Sequence, residues 1–188
     1  DWSKFIIDEY KNIDYNLYAF EPSQKTFKVL EQNIKRNNTV SLFDLGFGNK
    51  KEKLTLHYDN EAQGSASIFN KDTNFSEEIE INTIDNFCQE HDIPKINFLK
   101  MDVQGYEYNI LLGAQRMLAI GCIKYIQFEF DEPNVENRIF FKDFWDLLND
   151  KYEIFHSLYN GLVRVEKYKY EMENFSCMNY LAILKEGK

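Results

Sequence analysis

The stretch KMDVQGYE, residues 100–107, places two acids around a glycine directly after an apolar run. The run at 96–99 is typical of a buried strand, and a helical pattern of apolar residues begins just after the stretch. A carboxylate in a strand-to-helix turn can accept hydrogen bonds from a ligand, or take a proton from one. Asp102 and Glu107 are therefore the first candidates for chemistry.

Three further acids, Glu21, Asp44 and Glu129, also lie at or near the carboxyl ends of predicted strands. In an open parallel sheet, ligands bind outside the carboxyl ends of the strands, so we expect these acids and Asp102 to share one rim. Such a group needs a cation, hydroxyls or protonation to offset its repulsion. Alternatively, each acid caps the next helix, where a negative charge gains about 0.3–1 kcal/mol from the helix dipole. A carboxylate after the second strand suits both ribose hydroxyls of a nucleotide, and Glu21 fits that role.

Strands alternate with helices along most of the chain, which predicts a doubly wound α/β fold with a parallel sheet covered on both faces. We expect the strand 96–103 to be central and the last two strands to pair as antiparallel neighbours. The predicted helices cover 2–10, about 23–36, 84–88, 107–118 and 140–148. The predicted strands cover 16–20, 39–45, 53–59, 77–83, 96–103, 122–130, 152–158, 162–168 and 178–184.

The composition predicts one globular domain over 1–188, because 188 residues with 44% hydrophobic content suffice for a single core. A net charge of -9, from 22 basic and 31 acidic residues, argues against nucleic acid as a partner. No apolar run approaches the roughly 20 residues of a membrane span, and the start does not resemble a signal peptide. We therefore expect a cytoplasmic protein.

Cysteine and histidine are too scattered to predict a metal site. The three cysteines form no C-x-x-C pair, so we expect small buried side chains rather than a disulfide framework or a zinc site. No two of the three histidines are spaced to share a helix face. His57 follows the apolar part of a strand and is a further candidate for the rim.

Two glycine-containing segments are weaker signals. Gly46 and Gly48 lack the G-x-G-x-x-G spacing of a phosphate loop, which favours a simple turn. Gly64, Ser65 and Ser67 lie in a polar loop over 60–76, where their hydroxyls and backbone are either ligand contacts or simply exposed to solvent.

Several motifs taken together resemble one known family. They are, in order, YAFEPS, LFDLGFGNKKEKLTL, GSASIF, TIDNF, FLKMDVQGYEYNILLGAQRML and IQFEF. This series is similar to the FkbM family of S-adenosylmethionine-dependent methyltransferases over residues 2–130. Beyond about residue 131, only the closing strand NYLAIL is familiar. Gln104 stands where the family usually has glutamate.

The resemblance implies a Rossmann-like methyltransferase sheet, mostly parallel, with an antiparallel strand at its C-terminal end. The family's glycine-rich loop after the first strand, of the type D-V-G-A-N-x-G, has no counterpart here. Residue 1 falls where that loop would end, so we expect this sequence to lack the first strand and the loop.

Residue roles also follow from the resemblance. It implies that Glu21 accepts the ribose hydroxyls of S-adenosylmethionine and that Asp44 and Leu45 lie beside the adenine. It places Asp102 near the sulfonium, and Trp2 and Ser3 near the amino acid end of the cofactor.

The expected reaction is O-methylation of a sugar or glycan hydroxyl in polysaccharide biosynthesis. A base must take the hydroxyl proton, for which Asp102 is the first choice and Glu107 and Glu129 are alternatives. Ser65, Ser67 and His57 are candidates for acceptor binding. Region 131–178 is the candidate for acceptor selection, through aromatic side chains that either stack on sugar rings or form core: Phe140, Phe141, Trp145, Tyr159 and Tyr170.

Two other functions remain open from the residues. Glu21 could equally bind the ribose of NAD, so an NAD-dependent oxidoreductase is one alternative. Alternatively, the rim acids hold a divalent cation such as magnesium or calcium in a protein without catalytic activity. The sequence leaves open whether the protein forms a homo-oligomer.

Overall fold

The structure is a computed structural model that describes residues 2–10, 12–34, 38–58, 66, 68, 69 and 73–186. The chain forms two compact units. The first comprises Asp1–Gly46 and Lys51–Asn82, and the second comprises Phe47–Lys50 and Thr83–Lys188.

The first unit contains a parallel strand pair beside helices. Its elements are α1 (Trp2–Glu9), β1 (Leu17–Phe20), α2 (Gln24–Asn33), β2 (Val40–Phe43), β3 (Gly46–Phe47), β4 (Glu52–Tyr58) and β5 (Phe75–Asn82). β1 pairs with β2 in parallel, with Phe20 opposite Phe43. Apolar residues at helical spacing in α2 and at alternate positions in β2 form a small core, which contains Phe27, Ile34, Val40 and Leu42. Both strands therefore deliver the chain to the same edge.

The second half of this unit is an antiparallel pair. β4 pairs with β5 along its whole length, within a sheet of order β3-β5-β4. Alternation of apolar and polar residues buries Leu56, Ile79 and Ile81 on one face.

The second unit is built on a five-stranded sheet. Its elements are α3 (Ile84–Glu90), β6 (Ile96–Lys100), α4 (Glu107–Leu112), α5 (Gln115–Ala119), β7 (Ile123–Phe130), α6 (Pro133–Glu136), α7 (Phe141–Leu148), β8 (Tyr152–Leu158), β9 (Gly161–Arg164), a 3-10 helix (Tyr170–Met172) and β10 (Met178–Leu184). The strand order is β6-β7-β10-β8-β9. β6 and β7 are parallel, and β10 is antiparallel to both β7 and β8. The predicted antiparallel C-terminal strand is thus confirmed.

An aromatic core covers one face of this sheet. Phe128 and Phe130 of β7 are fully buried with Phe144 of α7, and the Phe128 and Phe144 ring centroids lie 4.7 Å apart. The alternate residues Gln127 and Glu129 are half-buried. The sheet therefore has one covered face and one half-exposed face at β7.

The predicted helix over 107–118 is two short helices. The break falls at Gly113 and Ala114, between α4 and α5. Position 113 has no room for a side chain, since an added Cβ would lie 2.0 Å from the Gly48 carbonyl oxygen. From the apolar periodicity we expect Tyr108, Leu111, Leu112 and either Met117 or Leu118 to be buried. Leu111, Met117 and Leu118 are buried, whereas Tyr108 and Leu112 are half-buried.

Two predicted strand placements are wrong. Segment 162–168 does not pair with the last strand. β9 instead pairs with β8 through a tight turn, because a short loop costs little entropy to close. β6 is not central, because it lies at an edge of the sheet that the described residues form, and its Phe98 is 41% exposed. Within those residues, no helix is long and apolar enough to cross a membrane.

Candidate active site

The structure brings Asp102 and Glu129 to the same level of two neighbouring strands. Lys100 of β6 lies opposite Gln127 of β7, and the Met101 N–H donates to the Gln127 carbonyl at 2.9 Å. Since the strands are parallel, positions 102 and 129 follow at one edge. Asp102 pairs with Lys100 at 2.9 Å and keeps 57% of its side chain exposed.

Glu107 lies deep beside this edge, with only 1% of its surface exposed. Its Oε1 accepts a hydrogen bond from the Val103 N–H at 2.8 Å. Its Oε2 is buried and has no hydrogen-bond partner among the residues that the structure describes. Glu107 therefore closes the turn after β6 with one oxygen and leaves the other unsatisfied.

Burial raises the pKa of Glu107 to about 7. The hydrogen bond from Val103 opposes this rise, while the charges of Asp131 and Glu129 add to it. Glu107 is consequently close to half-protonated at neutral pH, which is the range that suits an acid or a base.

The turn after β7 contributes two residues that the sequence reading missed, Asp131 and Asn134. Burial, with the charges of Glu129 and Asp102, raises the pKa of Asp131 to about 6. The Asp131 N–H donates to Asn134 Oδ1 at 3.0 Å, and Asn134 is fully buried. Its Nδ2 finds no acceptor within the described ranges. The D-E-P-N sequence, with proline at the first position of α6, was the available signal.

Gly105 and Pro133 join the turns after β6 and β7. Gly105 has a φ of +91°, and a Cβ added there would lie 2.7 Å from the Pro133 carbonyl carbon. Asn137 Nδ2 donates to the Gly105 carbonyl at 3.0 Å. Only glycine combines this backbone conformation with this approach, so the glycine of the V-Q-G-Y-E segment is what allows Glu107 to be covered.

Cys177 is a third residue that sequence reasoning missed. Its thiol donates to Glu129 Oε1 at 2.8 Å, and this bond, with the negative charge of Glu129, raises the pKa of Cys177 to about 11. Cys177 is exposed and precedes β10. The prediction that the cysteines are buried is confirmed for Cys88, whereas Cys122 is half-buried; it is wrong for Cys177, which is exposed.

The first unit holds Glu21 and Asp44 at the ends of β1 and β2. The Glu21 N–H donates to the Phe43 carbonyl at 3.0 Å, so the parallel register continues to positions 21 and 44. Glu21 Oε1 accepts a hydrogen bond from the Ser23 N–H at 2.9 Å. Burial raises the pKa of Glu21, the Ser23 bond lowers it, and Glu77 raises it.

Glu77 of β5 is a further acid that sequence reasoning missed in this unit. Its Oε2 accepts a hydrogen bond from the Gln24 N–H at 3.2 Å, at the start of α2. Its Oε1 is buried without a partner in the described part of the chain. β5 was predicted, but the pairing that brings residue 77 to Gln24 depends on the fold.

The remaining predicted cofactor contacts are spread through the first unit. Trp2 and Ser3 lie in the first turn of α1, where Trp2 is 38% exposed and Ser3 is half-buried. Asp44 is exposed and Leu45 is half-buried.

The three predicted acceptor contacts have different outcomes. His57 is half-buried in β4, opposite Ser76 of β5. Ser65 and Ser67 lie outside the described residues.

That Glu21 and Asp102 share one rim stays a prediction. Among described side chains, no group of three or more His, Cys, Asp or Glu is arranged to hold a metal ion.

A family model described as the methyltransferase FkbM domain matches residues 1–157. The chain belongs to the FkbM methyltransferase family. The fold agrees with a crystal structure of the methyltransferase FkbM from Methylobacillus flagellatus KT, with a TM-score of 0.54 and 14% sequence identity. That match covers 96% of this chain and 40% of the other, so the FkbM-family chain spans two fifths of its structural neighbour. No curated protein matches it.

Proposed function

We propose that this FkbM-family chain transfers a methyl group from S-adenosylmethionine to a hydroxyl of a sugar or glycan. The observation that carries the proposal is the placement of Asp102 and Glu129 at one level of two parallel strands, beside the buried Glu107. When bound, the cofactor supplies an electrophilic methyl on a positively charged sulfur. Carboxylates at this edge stabilise that charge.

The residues present fit the cofactor at Glu21. One of its oxygens accepts the Ser23 N–H, and the other has no hydrogen bond within the described residues, so it is available to ribose hydroxyls. We assign Asp44 and Leu45 to the adenine. Trp2 and Ser3 are assigned to the amino acid end, where the exposed indole of Trp2 suits a cationic group.

The acceptor hydroxyl must lose a proton as its oxygen bonds to the methyl carbon. Asp102 is our first choice for the base, because its exposed carboxylate can reach an acceptor. Glu129 is the second choice, and one of its oxygens accepts the hydrogen bond from the Cys177 thiol. Glu107 accepts a hydrogen bond from its own turn, so we assign it to holding a proton beside the reacting groups.

We place acceptor selection in region 131–178 and the reaction in cytoplasmic polysaccharide biosynthesis. Of the five aromatic candidates, Phe141 is fully buried in the core and is excluded. Tyr159, Tyr170 and Phe140 are exposed and remain candidates, and Trp145 is half-buried. Association into a homo-oligomer remains a proposal that the oligomeric state in solution tests.

The test combines cofactor binding with methyl transfer. Calorimetry with S-adenosylhomocysteine measures binding, and labelled S-adenosylmethionine with a panel of sugars measures transfer. We expect Glu21→Ala to weaken cofactor binding. Asp102→Asn should lower kcat about 100-fold, which is the lower end of the range for loss of a general base. Asp150→Asn, an exposed acid of the same unit, is the control. Thermal stabilisation by NAD or by magnesium, without any by S-adenosylmethionine, would contradict the proposal.

A further inference from the structure

Three hydrogen-bonding side chains form a row across the middle of the five-stranded sheet. Glu129 of β7 lies opposite Asn179 of β10, which lies opposite Ser157 of β8. Residues directly opposite each other in neighbouring strands point to the same face of a sheet. At about 4.8 Å between strands, the row spans about 10 Å. We refer to Glu129, Asn179 and Ser157 as the polar row.

The polar row lies on the half-exposed face. All three residues are half-buried, whereas their chain neighbours Phe128 and Tyr180 are buried in the aromatic core on the opposite face. The side chains of Asn179 and Ser157 make no hydrogen bond to any described residue. The row thus offers an amide and a hydroxyl that solvent or a ligand must satisfy.

An apolar strip borders the polar row. The strip consists of Leu181 and Phe155, which lie opposite each other on the same face and are half-buried. The polar Gln127 of β7 lies opposite Leu181 as well. On the other side, Tyr159 is fully exposed in the turn between β8 and β9. The face therefore presents donors and acceptors along one line and apolar surface beside it.

We propose that the polar row selects the acceptor and that the acceptor is an uncharged sugar ring. This inference rests on the proposed function and names the residues that would determine specificity. A sugar has hydroxyl edges and apolar C–H faces, which match the row and the strip. Asn179 and Ser157 both donate and accept, as hydroxyls do, and Glu129 accepts. Asn179 lies outside residues 1–157, so the family match does not assign it.

The charge of the surroundings excludes anionic sugars. Glu129 belongs to the row, the charges of Glu129 and Asp102 help to raise the pKa of Asp131, and Glu107 adds a buried carboxyl. A uronic acid in this place would add another negative charge, and Lys100, the cation beside Asp102, is already paired with that carboxylate. A neutral hexose, which has a hydroxymethyl group in place of the carboxylate, adds no negative charge.

The test compares binding of methyl glucoside and methyl glucuronide by saturation-transfer NMR, with the protein saturated by S-adenosylhomocysteine. Variants Asn179→Ala and Ser157→Ala remove the proposed contacts. Asn97→Ala is the matched control, because Asn97 is exposed on β6 and lies about 16 Å along the strand from position 102. Other neutral hexosides extend the panel.

We expect binding of a neutral hexoside, weaker binding of the glucuronide, and a two- to tenfold loss of hexoside affinity in Asn179→Ala, as one hydrogen bond implies. Cofactor affinity should not change in either row variant, whereas a folding defect would lower both affinities. Asn179→Asp should lose more hexoside affinity than Asn179→Ala.

Equal hexoside binding by wild type and Asn179→Ala, or glucuronide binding as tight as glucoside binding, would overturn the inference. Binding of S-adenosylhomocysteine without binding of any neutral hexoside would also overturn it, while cofactor use by the proposed methyltransferase would stand. Hexoside binding that depends on Asn179, in a protein that does not bind the cofactor, would support sugar binding by the polar row and count against the methyltransferase proposal.

Discussion

Glu21 directly follows β1 and Glu107 is the first residue of α4 after β6, so both acids lie where the chain passes from a parallel strand to a helix, yet their environments differ. Glu21 is half-buried and accepts the Ser23 N–H. Glu107 is 1% exposed, accepts the Val103 N–H and keeps a second oxygen buried without a partner among the described residues. Burial is the main cause of the raised pKa in both, but only that of Glu107 reaches about 7.

The cover over each acid explains this difference. Glu107 is closed in by the turn after β7, whose Pro133 touches Gly105 and whose Asn137 bonds the Gly105 carbonyl. Glu21 sits at the start of α2, where Glu77 is its charged neighbour. The acid of the first unit is thus half-buried, whereas Glu107 in the second unit is closed off from solvent.

The largest effect is expected where the cover over Glu107 is removed. Gly105→Ala forces a Cβ against the Pro133 backbone at a φ of +91°, which should cost about 3 kcal/mol in unfolding free energy. In the first unit, a Cβ added by Gly46→Ala would lie 2.7 Å from Ile81 Cδ1, the end of a flexible side chain, and in ordinary contact with Pro22 at 3.4 Å. We expect that variant to cost about 1 kcal/mol. Urea unfolding measures both, and equal losses would show that the turn after β6 is not rigid.

Glu107→Gln should remove a pH dependence of stability. The pKa of Glu107 is about 7 when folded against an ordinary 4.5, so the folded state binds more protons between these values. The unfolding free energy therefore falls as pH rises from 4.5 to above 7, by about 3 kcal/mol from this group. We expect the stability difference between wild type and variant to change by that amount between pH 4 and pH 8.

Glu21→Gln is the matched comparison, because burial raises the pKa of Glu21 in the same direction. Its effect on the pH dependence should be smaller than that of Glu107→Gln. A larger effect at Glu21 in urea titrations at both pH values would reverse the contrast between the two acids.

Glu129→Gln should increase the reactivity of Cys177. The bond to Glu129 is the first cause of the raised pKa of the Cys177 thiol, about 11, so little thiolate exists at pH 8. Removing the charge should speed alkylation by iodoacetamide about tenfold, as thiolate concentration controls the rate. Mass spectrometry follows the modification, and the buried Cys88 serves as the internal control. An unchanged rate would mean that the bond is absent in solution.

The smallest effect concerns lysines paired with acids in the two units. Lys100 is 20% exposed beside Asp102, and we expect Lys100→Met to lose up to about 1 kcal/mol of unfolding free energy. Lys53 pairs with Glu78 where both side chains are largely exposed, so Lys53→Met should show no measurable change. Thermal denaturation in low and high salt separates the two, and a larger loss at Lys53 would contradict the contrast.

Sequence reasoning predicted most of the elements and three of the acids at the edge of the second unit. The apolar periodicity of β7, α7 and β10 was sufficient, because alternate or helical burial repeats within a few residues. It failed at Gly113 and at the edge position of β6, where the deciding contact comes from a distant segment. It also missed Asp131, Asn134 and Cys177, which reach the site through strand pairing and turn geometry.

The sequence by itself determined the family, the α/β alternation and the carboxylates that end the strands, since these depend on residue type and local spacing. Only the tertiary structure decided that burial raises the pKa of Glu107 to about 7 and that the Cys177 thiol donates to Glu129. It also decided that Asn179 and Ser157 line up with Glu129. Burial and strand register are properties of segments far apart in the chain, so no local pattern encodes them.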